Sequence, residues 1–351
     1  MVSKKLPARI ITKRFYDDGS IEIERQSRFY LRKGENPNKE AAIYSRDGKL
    51  PFIQKHGGLP SYNNIQDAIV SNAAVYDITI NRSLIYQERE HTAVIVKHRM
   101  ITGGAVSSVQ SEALAKAEMP DLQTNYGGIV GFNSVVEYDT ALMLRSKGHS
   151  FDIVIAPGFD DKALKILQKS QRMIVFESHL FEDSTKANSG FYEVTIPGGI
   201  RILQGFDFPT IWKLESDGER WSVVTERKPT DKEKSDSSLA RILNRYGNSN
   251  KTNIVMDGVL LGAGYGDGKR VRSAERAIAN AQASRIQLRG ASAATDGPIP
   301  FPDFVYTVAD AGVATIISTG GSKRDAEVKD AMNEKKIAGI FTGLRDFRHS
   351  P

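Results

Sequence analysis

Lys97 and His98 stand side by side at the end of the apolar run Ala93-Val94-Ile95-Val96, a pattern in which a buried strand delivers two ionisable side chains to one edge of a sheet. Burial and neighbouring charges tune the proton affinity of lysine and histidine toward neutrality, so the pair could serve as proton acceptor and oxyanion stabiliser. The same dipeptide also suits the solvated start of a loop, and the pair alone does not choose between the two. The six histidines, His56, His91, His98, His149, His179 and His349, show no pair at helical i,i+4 spacing with a nearby acid, and the chain has no cysteine. The usual zinc patterns are therefore absent, and no catalytic metal is expected. Nothing marks a serine nucleophile either.

Two further stretches could receive an anion. Ser318-Thr319-Gly320-Gly321-Ser322 lies between an expected strand and an expected helix. Its backbone N–H groups could hold a phosphate, or Ser322 and Asp325 could simply cap the helix reciprocally. Gly262-Ala263-Gly264-Tyr265-Gly266-Asp267-Gly268 superficially resembles a dinucleotide fingerprint, but the two strands before it form a hairpin rather than opening a βαβ unit. It reads as a flexible loop over a ligand, with Lys269, Arg270 and Arg272 available for a phosphate, or as a solvated basic turn. The terminal segment 342–349 holds three cations and an aromatic ring if His349 is counted with Arg345, Arg348 and Phe347, and is expected to dock rather than fray.

These residues need a scaffold. Arg9 to Leu31 alternates around Asp17-Asp18-Gly19-Ser20 as a β-hairpin does. Ala93–Val96, Ile129–Phe132 and Phe151–Ala156 read as buried strands, separated by helices over Ser108–Ala117 and Asp160–Lys169. The polar run from Lys228 to Asp236 reads as a solvated connection. Beyond it the alternation resumes with strands Thr252–Met256 and Val259–Gly262 and a helix over Ser273–Gln287. Strand Val313–Ser318, helix Lys323–Glu334 and strand Ala338–Phe341 follow as a compact βαβ unit. The expected class is α/β, in two units, 1–227 and 239–351, joined by a charged connection over 228–238. With 351 residues the chain exceeds one usual core, and a remote duplication of its halves is left open.

A net charge of +6, from 48 Lys and Arg against 42 Asp and Glu, favours small anionic partners. The basic residues are spread among acids, which argues against nucleic acid. No apolar stretch is long enough to cross a bilayer, so no membrane partner is expected, and no signal-type segment follows Met1-Val2-Ser3-Lys4-Lys5. With no cysteine, a cytoplasmic location fits.

Collinear motifs along nearly the whole chain resemble AICAR transformylase, the formyltransferase half of a bifunctional purine-biosynthesis enzyme. They are Gly34-Glu35-Asn36-Pro37 with Ala41-Ala42-Ile43-Tyr44, Ser61-Tyr62-Asn63-Asn64-Ile65, Val96-Lys97-His98 and Tyr126-Gly127-Gly128-Ile129. In the second half stand Pro197-Gly198-Gly199, Leu261-Gly262-Ala263-Gly264, Thr295-Asp296 with Pro300-Phe301-Pro302-Asp303, Ile317 to Ser322 with Arg324 to Val328, and Phe341-Thr342-Gly343-Leu344-Arg345. The resemblance implies two cytidine-deaminase-like α/β/α layers in tandem without the deaminase zinc, and a homodimer with shared active sites. It implies transfer of formyl from 10-formyltetrahydrofolate to the amine of 5-aminoimidazole-4-carboxamide ribonucleotide. His98 would accept the amine proton and Lys97 stabilise the formyl oxyanion. Arg32, Lys33, Asn253, Arg270 and Arg345 would hold the ribonucleotide, and His349 would close the site. Asp303, with Phe301, Pro298 and Ile299, would meet the folate. A structural monovalent cation is compatible with the resemblance.

The chain departs from the family's pattern in several places, among them the following. Arg99-Met100-Ile101-Thr102-Gly103 replaces a tract that usually carries Asn-Pro or Ser-Pro. Lys33 stands where a tyrosine is usual, and Pro298-Ile299 stand where paired phenylalanines are usual. These substitutions leave two alternatives: a divergent paralogue using another amino-heterocycle or formyl donor, and a non-catalytic nucleotide-binding module. The family's cyclohydrolase domain is not recognised in this sequence, so ring closure is expected to fall to another enzyme.

Overall fold

A computed structural model describes residues 6, 9–15, 21–45, 50, 52–86, 90–120, 125–146, 148–179, 190–196, 200–206 and 221–348. Strands β1 (Arg9–Phe15), β2 (Ile21–Tyr30) and β3 (Ala42–Ser45) form a small antiparallel sheet of their own. The expected first hairpin is present as the β1–β2 pairing; its turn, Asp17 to Ser20, lies outside the described residues.

Next come β4 (Phe52–His56), α1 (Tyr62–Tyr86), β5 (His91–Lys97), β6 (Met100–Ser107) and α2 (Gln110–Glu118). They are followed by β7 (Gly128–Phe132), α3 (Tyr138–Arg145), β8 (Phe151–Ala156), α4 (Asp161–Leu167) and β9 (Ile174–Ser178). After the paired strands β10 (Gly190–Ile196) and β11 (Ile200–Phe206), the same order of elements returns. It runs β12 (Ser222–Val223), α5 (Asp231–Leu243), β13 (Thr252–Met256), β14 (Val259–Gly264) and α6 (Arg270–Ala283). It ends with β15 (Ser292–Thr295), α7 (Asp303–Asp310), β16 (Thr315–Ser318), α8 (Asp325–Glu334) and β17 (Ala338–Phe341).

The duplication left open by the sequence is explicit in the sheet. A single sheet runs β12-β17-β16-β15-β13-β14-β6-β5-β7-β8-β9-β4, so the second half reads as the mirror order of the first across the β14–β6 seam. Both hairpins carry the same irregularity. Ile95 faces Gly103 and Val96 faces Ile101, while Ile254 faces Gly262 and Val255 faces Leu260, positions that differ by 159 throughout.

Helices cover both faces of this sheet, which explains why its strands read as unbroken apolar runs. Alternate residues of β5 point to opposite cores. Ala93 and Ile95 join the cluster with α2 and α6, and Val94 and Val96 join the cluster with α1 and α5. Glycine lets α2 and α6 approach their hairpins closely. A Cβ on Gly103 would lie 2.0 Å from the Ala117 carbonyl oxygen, and one on Gly262 would lie 2.2 Å from that of Ala277. Gly103→Ala is therefore expected to cost about 1–3 kcal/mol through backbone displacement. A lower urea midpoint at unchanged m-value would register it.

The charged connection expected over 228–238 is not one. Thr230 caps α5: its side chain accepts from Glu233 N (3.2 Å) and Glu233 Oε2 accepts from Thr230 N (2.8 Å), a complete capping box. Glu233, Asp236, Ser237 and Ser238 are buried. The two carboxylates of this face are met by protein rather than by water, Glu233 by Thr230 and Arg227 and Asp236 by the Asp257 and Gly258 N–H groups. Moreover, the second half already begins at β12, which pairs with β17. Among the described residues, no helix is long and apolar enough to cross a membrane.

Candidate active site

The register of the seam decides which sheet edge carries the Lys-His pair. Val259 faces Ala105 in an antiparallel pairing, so the end of β14 lies beside the start of β6, and Tyr265 Oη donates to the Ile101 carbonyl at 3.1 Å. Thr252 in turn faces both Gly264 and Thr295. The turn after β5 therefore shares an edge with the start of β13 and with the carboxyl ends of the parallel strands β15, β16 and β17. In open α/β sheets that is the usual place for a ligand.

His98 and Arg99 form a two-residue loop between Lys97 and Met100, both with positive φ (53° and 64°). Lys97 is half-buried and its Nζ donates to the Tyr126 carbonyl at 2.7 Å; His98 is exposed. The loop is held from below by Asp67 of α1, whose carboxylate accepts from His98 N (3.0 Å) and Arg99 N (2.6 Å). Burial pushes the Asp67 carboxyl above its ordinary value, against the opposing pull of these two N–H groups.

Tyr126, whose carbonyl Lys97 holds, lines a cavity of about 450 Å³ together with Arg145, His149, Asp152, Lys169 and Arg172. His149 is paired with Glu118 at 2.7 Å. Arg145, Lys169 and Arg172 make no ion pair among the described residues and lie exposed around the opening. None of these lining side chains stood among the sequence candidates. The cavity sits at the starts of β8 and β9 and the ends of α3 and α4, so its residues are scattered along the chain. Only Tyr126, in the Tyr-Gly-Gly-Ile motif, offered a signal.

The second half contributes a buried polar cluster to the same edge. Asp296 is fully buried and accepts from Ser249 Oγ (2.5 Å), Lys251 N (3.3 Å) and Arg270 Nη1 (2.5 Å). Lys251 Nζ lies 4.0 Å from its carboxylate and donates to the Asp346 carbonyl at 2.9 Å. The Arg241 guanidinium reaches Asp346 at 2.6 Å and the Leu344 carbonyl. Asp346 N donates to the Asp296 carbonyl, and Ser249 N to that of Arg348. The terminal segment docks through these bonds, as its composition suggested.

Burial lowers the Lys251 pKa to about 8, because desolvation outweighs the two nearby carboxylates. The folded protein then gives up this proton near pH 8, while the unfolded chain keeps it to about 10.5. The unfolded state binds more protons in between, so this group's contribution to stability rises from pH 8 to 10. Lys251→Met is expected to remove that rise, visible as a flatter difference in urea midpoints across the window.

Of the expected ligand residues, Arg32 and Lys33 are tied to the start of α1, through Arg32 N to the Pro60 carbonyl and Tyr62 N to that of Lys33. Asn253 is fully buried; its carboxamide, with oxygen toward Asn244 N and nitrogen toward Tyr265 Oη, is satisfied internally. Arg270 is also buried and engaged with Asp296 rather than turned outward. Arg345 is exposed, its guanidinium 5.7 Å from the Phe347 ring. Asp303 starts α7 and accepts from its own neighbour Phe304 N. Phe301 is exposed under the Arg324 guanidinium at 4.8 Å, and Pro298 is half-buried. Ile299, expected in a folate pocket, is a core residue, 1% exposed. His349 lies outside the described residues.

Two expected anion sites change character. Asp325 takes the Gly321 and Ser322 N–H groups itself, at 2.7 and 3.0 Å, leaving a capped helix rather than a phosphate cradle. The glycine loop is not a flexible cover. Gly262 and Gly264 are strand positions pressed against α6, and Asp267 is bonded to Arg276 and, through its carbonyl, to Asn250.

The sequence profile of the AICARFT/IMPCHase bienzyme family matches residues 2–280. The chain belongs to that family. The bifunctional purine biosynthesis protein PurH of Caldicellulosiruptor saccharolyticus is 37% identical over 328 residues, covering 91% of this chain and 59% of the relative. The corresponding protein of Anoxybacillus flavithermus is 36% identical over 334 residues, 93% of this chain and 60% of its own length. That of Aquifex aeolicus is 33% identical over 339 residues, 95% and 62%. The chain thus spans about three-fifths of the length of these relatives. Within the family match fall both hairpins, the Lys97-His98 turn and every named residue of the cavity.

Proposed function

We propose that this chain transfers a formyl group from 10-formyltetrahydrofolate to the amine of 5-aminoimidazole-4-carboxamide ribonucleotide, a step of purine biosynthesis. The observation that carries the reading is the placement of Lys97 and His98, in a chain of the AICARFT/IMPCHase family, on one hairpin turn beside a cation-rimmed cavity. As the amine nitrogen bonds to the formyl carbon, His98 takes the proton that the amine loses. Lys97 places its ammonium against the oxygen that gains charge. Collapse of the tetrahedral adduct breaks the bond to N10 of the folate, which leaves with the proton that His98 took. The acceptor amine is weakened by conjugation into the carboxamide, so positioning must supply much of the acceleration.

Arg145, Lys169 and Arg172 suit a phosphorylated acceptor entering the cavity, joined by the exposed Arg32 and Arg345 on the same edge. In this reading Asn253 and Arg270 act from beneath the site, by holding Tyr265 and Asp296, rather than by touching ligand. Each half of the sheet is read as one cytidine-deaminase-like α/β/α layer, and the working form as a cytoplasmic homodimer that completes each site across its interface.

Purified protein supplied with the ribonucleotide and 10-formyltetrahydrofolate should release tetrahydrofolate, followed by absorbance. Tight ribonucleotide binding with no turnover would replace this reading with a binding module. Turnover only with another amine or donor would replace it with a divergent enzyme.

A further inference from the structure

Two hairpin turns of this molecule are each held by one buried carboxylate. Asp67 on α1 receives the backbone N–H groups of His98 and Arg99, at 3.0 and 2.6 Å. Asp236 on α5 receives those of Asp257 and Gly258, at 3.0 and 2.8 Å. The two turns occupy equivalent places in the duplicated halves, and all four loop residues have positive φ, between 53° and 71°. What differs is the sequence in the loop. Asp-Gly is among the dipeptides that adopt this turn with little strain, whereas His-Arg puts two substituted residues where a Cβ is crowded. The second hairpin would keep its turn with modest help; the first is kept in a conformation that its own residues resist.

We propose that Asp67 is a positioning residue for His98, fixing the left-handed loop so that the imidazole faces the reacting centre beside Lys97. This rests on the formyltransferase reading above. A carboxylate is needed because it offers one oxygen to each of two N–H groups, and Asp67 is only 7% exposed, so water does not readily replace it. An asparagine offers one acceptor oxygen and leaves the other N–H unmet. The loop can then relax toward an unstrained turn, swinging the imidazole while leaving the cavity and its cations in place.

The test compares Asp67→Asn with Asp236→Asn in the full chain, the second making the same change under a turn that carries no proton acceptor for the reaction. Asp67→Asn should lower kcat about a hundredfold, as misplacement by about an ångström does, with KM for the ribonucleotide within about threefold. Asp236→Asn should leave both at wild-type values in the folded protein. Adding Arg99→Gly to Asp67→Asn should restore part of kcat, since glycine accepts positive φ without strain. The His98 ring signals in labelled protein, assigned by their loss in His98→Ala, should move in Asp67→Asn and stay in place in Asp236→Asn. Equal kcat losses in the two variants, or unmoved ring signals in Asp67→Asn, overturn the proposal. If the wild-type chain transfers no formyl group, the formyltransferase reading falls and the ring signals decide the positioning role unaided.

Discussion

Replacing His98 with alanine is expected to slow formyl transfer by about 10²- to 10⁴-fold, the usual loss when a positioned proton acceptor is removed, while ribonucleotide affinity stays near its wild-type value. The split follows from geometry. His98 is one of two residues in a tight loop at the sheet edge, and the loop is held through its backbone. Loss of the ring therefore leaves the turn, Lys97 and the cavity cations where they are. The amine must then lose its proton to water, and the barrier rises in the chemical step rather than in binding. Single-turnover kinetics with saturating ribonucleotide measure that step directly. A rate within a few-fold of wild type, or a loss confined to KM, would remove His98 from the mechanism.

Replacing Asp296 with alanine should have the largest effect on stability, a loss of about 3–5 kcal/mol. Asp296 is the anion at the centre of a buried cluster, bonded to Arg270 and Ser249 and lying 4.0 Å from Lys251 Nζ. Taking it away leaves Arg270 buried without its counter-charge and Lys251 with Asp346 alone, which costs far more than loss of a surface pair. The alanine variant should unfold at markedly lower urea with an unchanged m-value. The terminal segment should loosen first, because Asp346 and Arg348 are bonded to the backbone and side chains that Asp296 holds. A destabilisation below about 1 kcal/mol would show that water reaches the cluster and takes over the charge compensation.

Much of the fold was legible because strands buried on both faces leave continuous apolar runs. β8, β13 and β17 begin and end where Phe151–Ala156, Thr252–Met256 and Ala338–Phe341 suggested. Helix α1 escaped because it buries polar residues, among them Asp67, Asn72, Asp77 and Asn81, which breaks the apolar period. Its signal was the start: Ser61 and Asn64 bond reciprocally as a cap, so the Ser-Tyr-Asn-Asn motif is also a helix boundary. Helix α5 escaped for the same reason, although Thr230 and Glu233 advertised its capping box. Strand β6 was hidden by Gly103-Gly104, which serve packing rather than a turn. The Lys-His pair was legible as a strand end. The carboxylate beneath it and the cavity beside it were not, because α1 and the approaches to β7, β8 and β9 are far apart along the chain and meet only in the folded first half.

That seam has a consequence for synthesis on the ribosome. A nascent chain that has completed β9 carries Lys97 and His98, yet β6 lies at the border of a half-sheet, its backbone groups awaiting β14. At roughly 5–20 residues per second, an interval on the order of ten seconds passes before β14 emerges to cover that border, and Asp296 and Arg345 follow later still. The Lys-His turn is thus translated well before its half-sheet is completed, and the uncovered strand is where premature pairing with a neighbouring chain would begin.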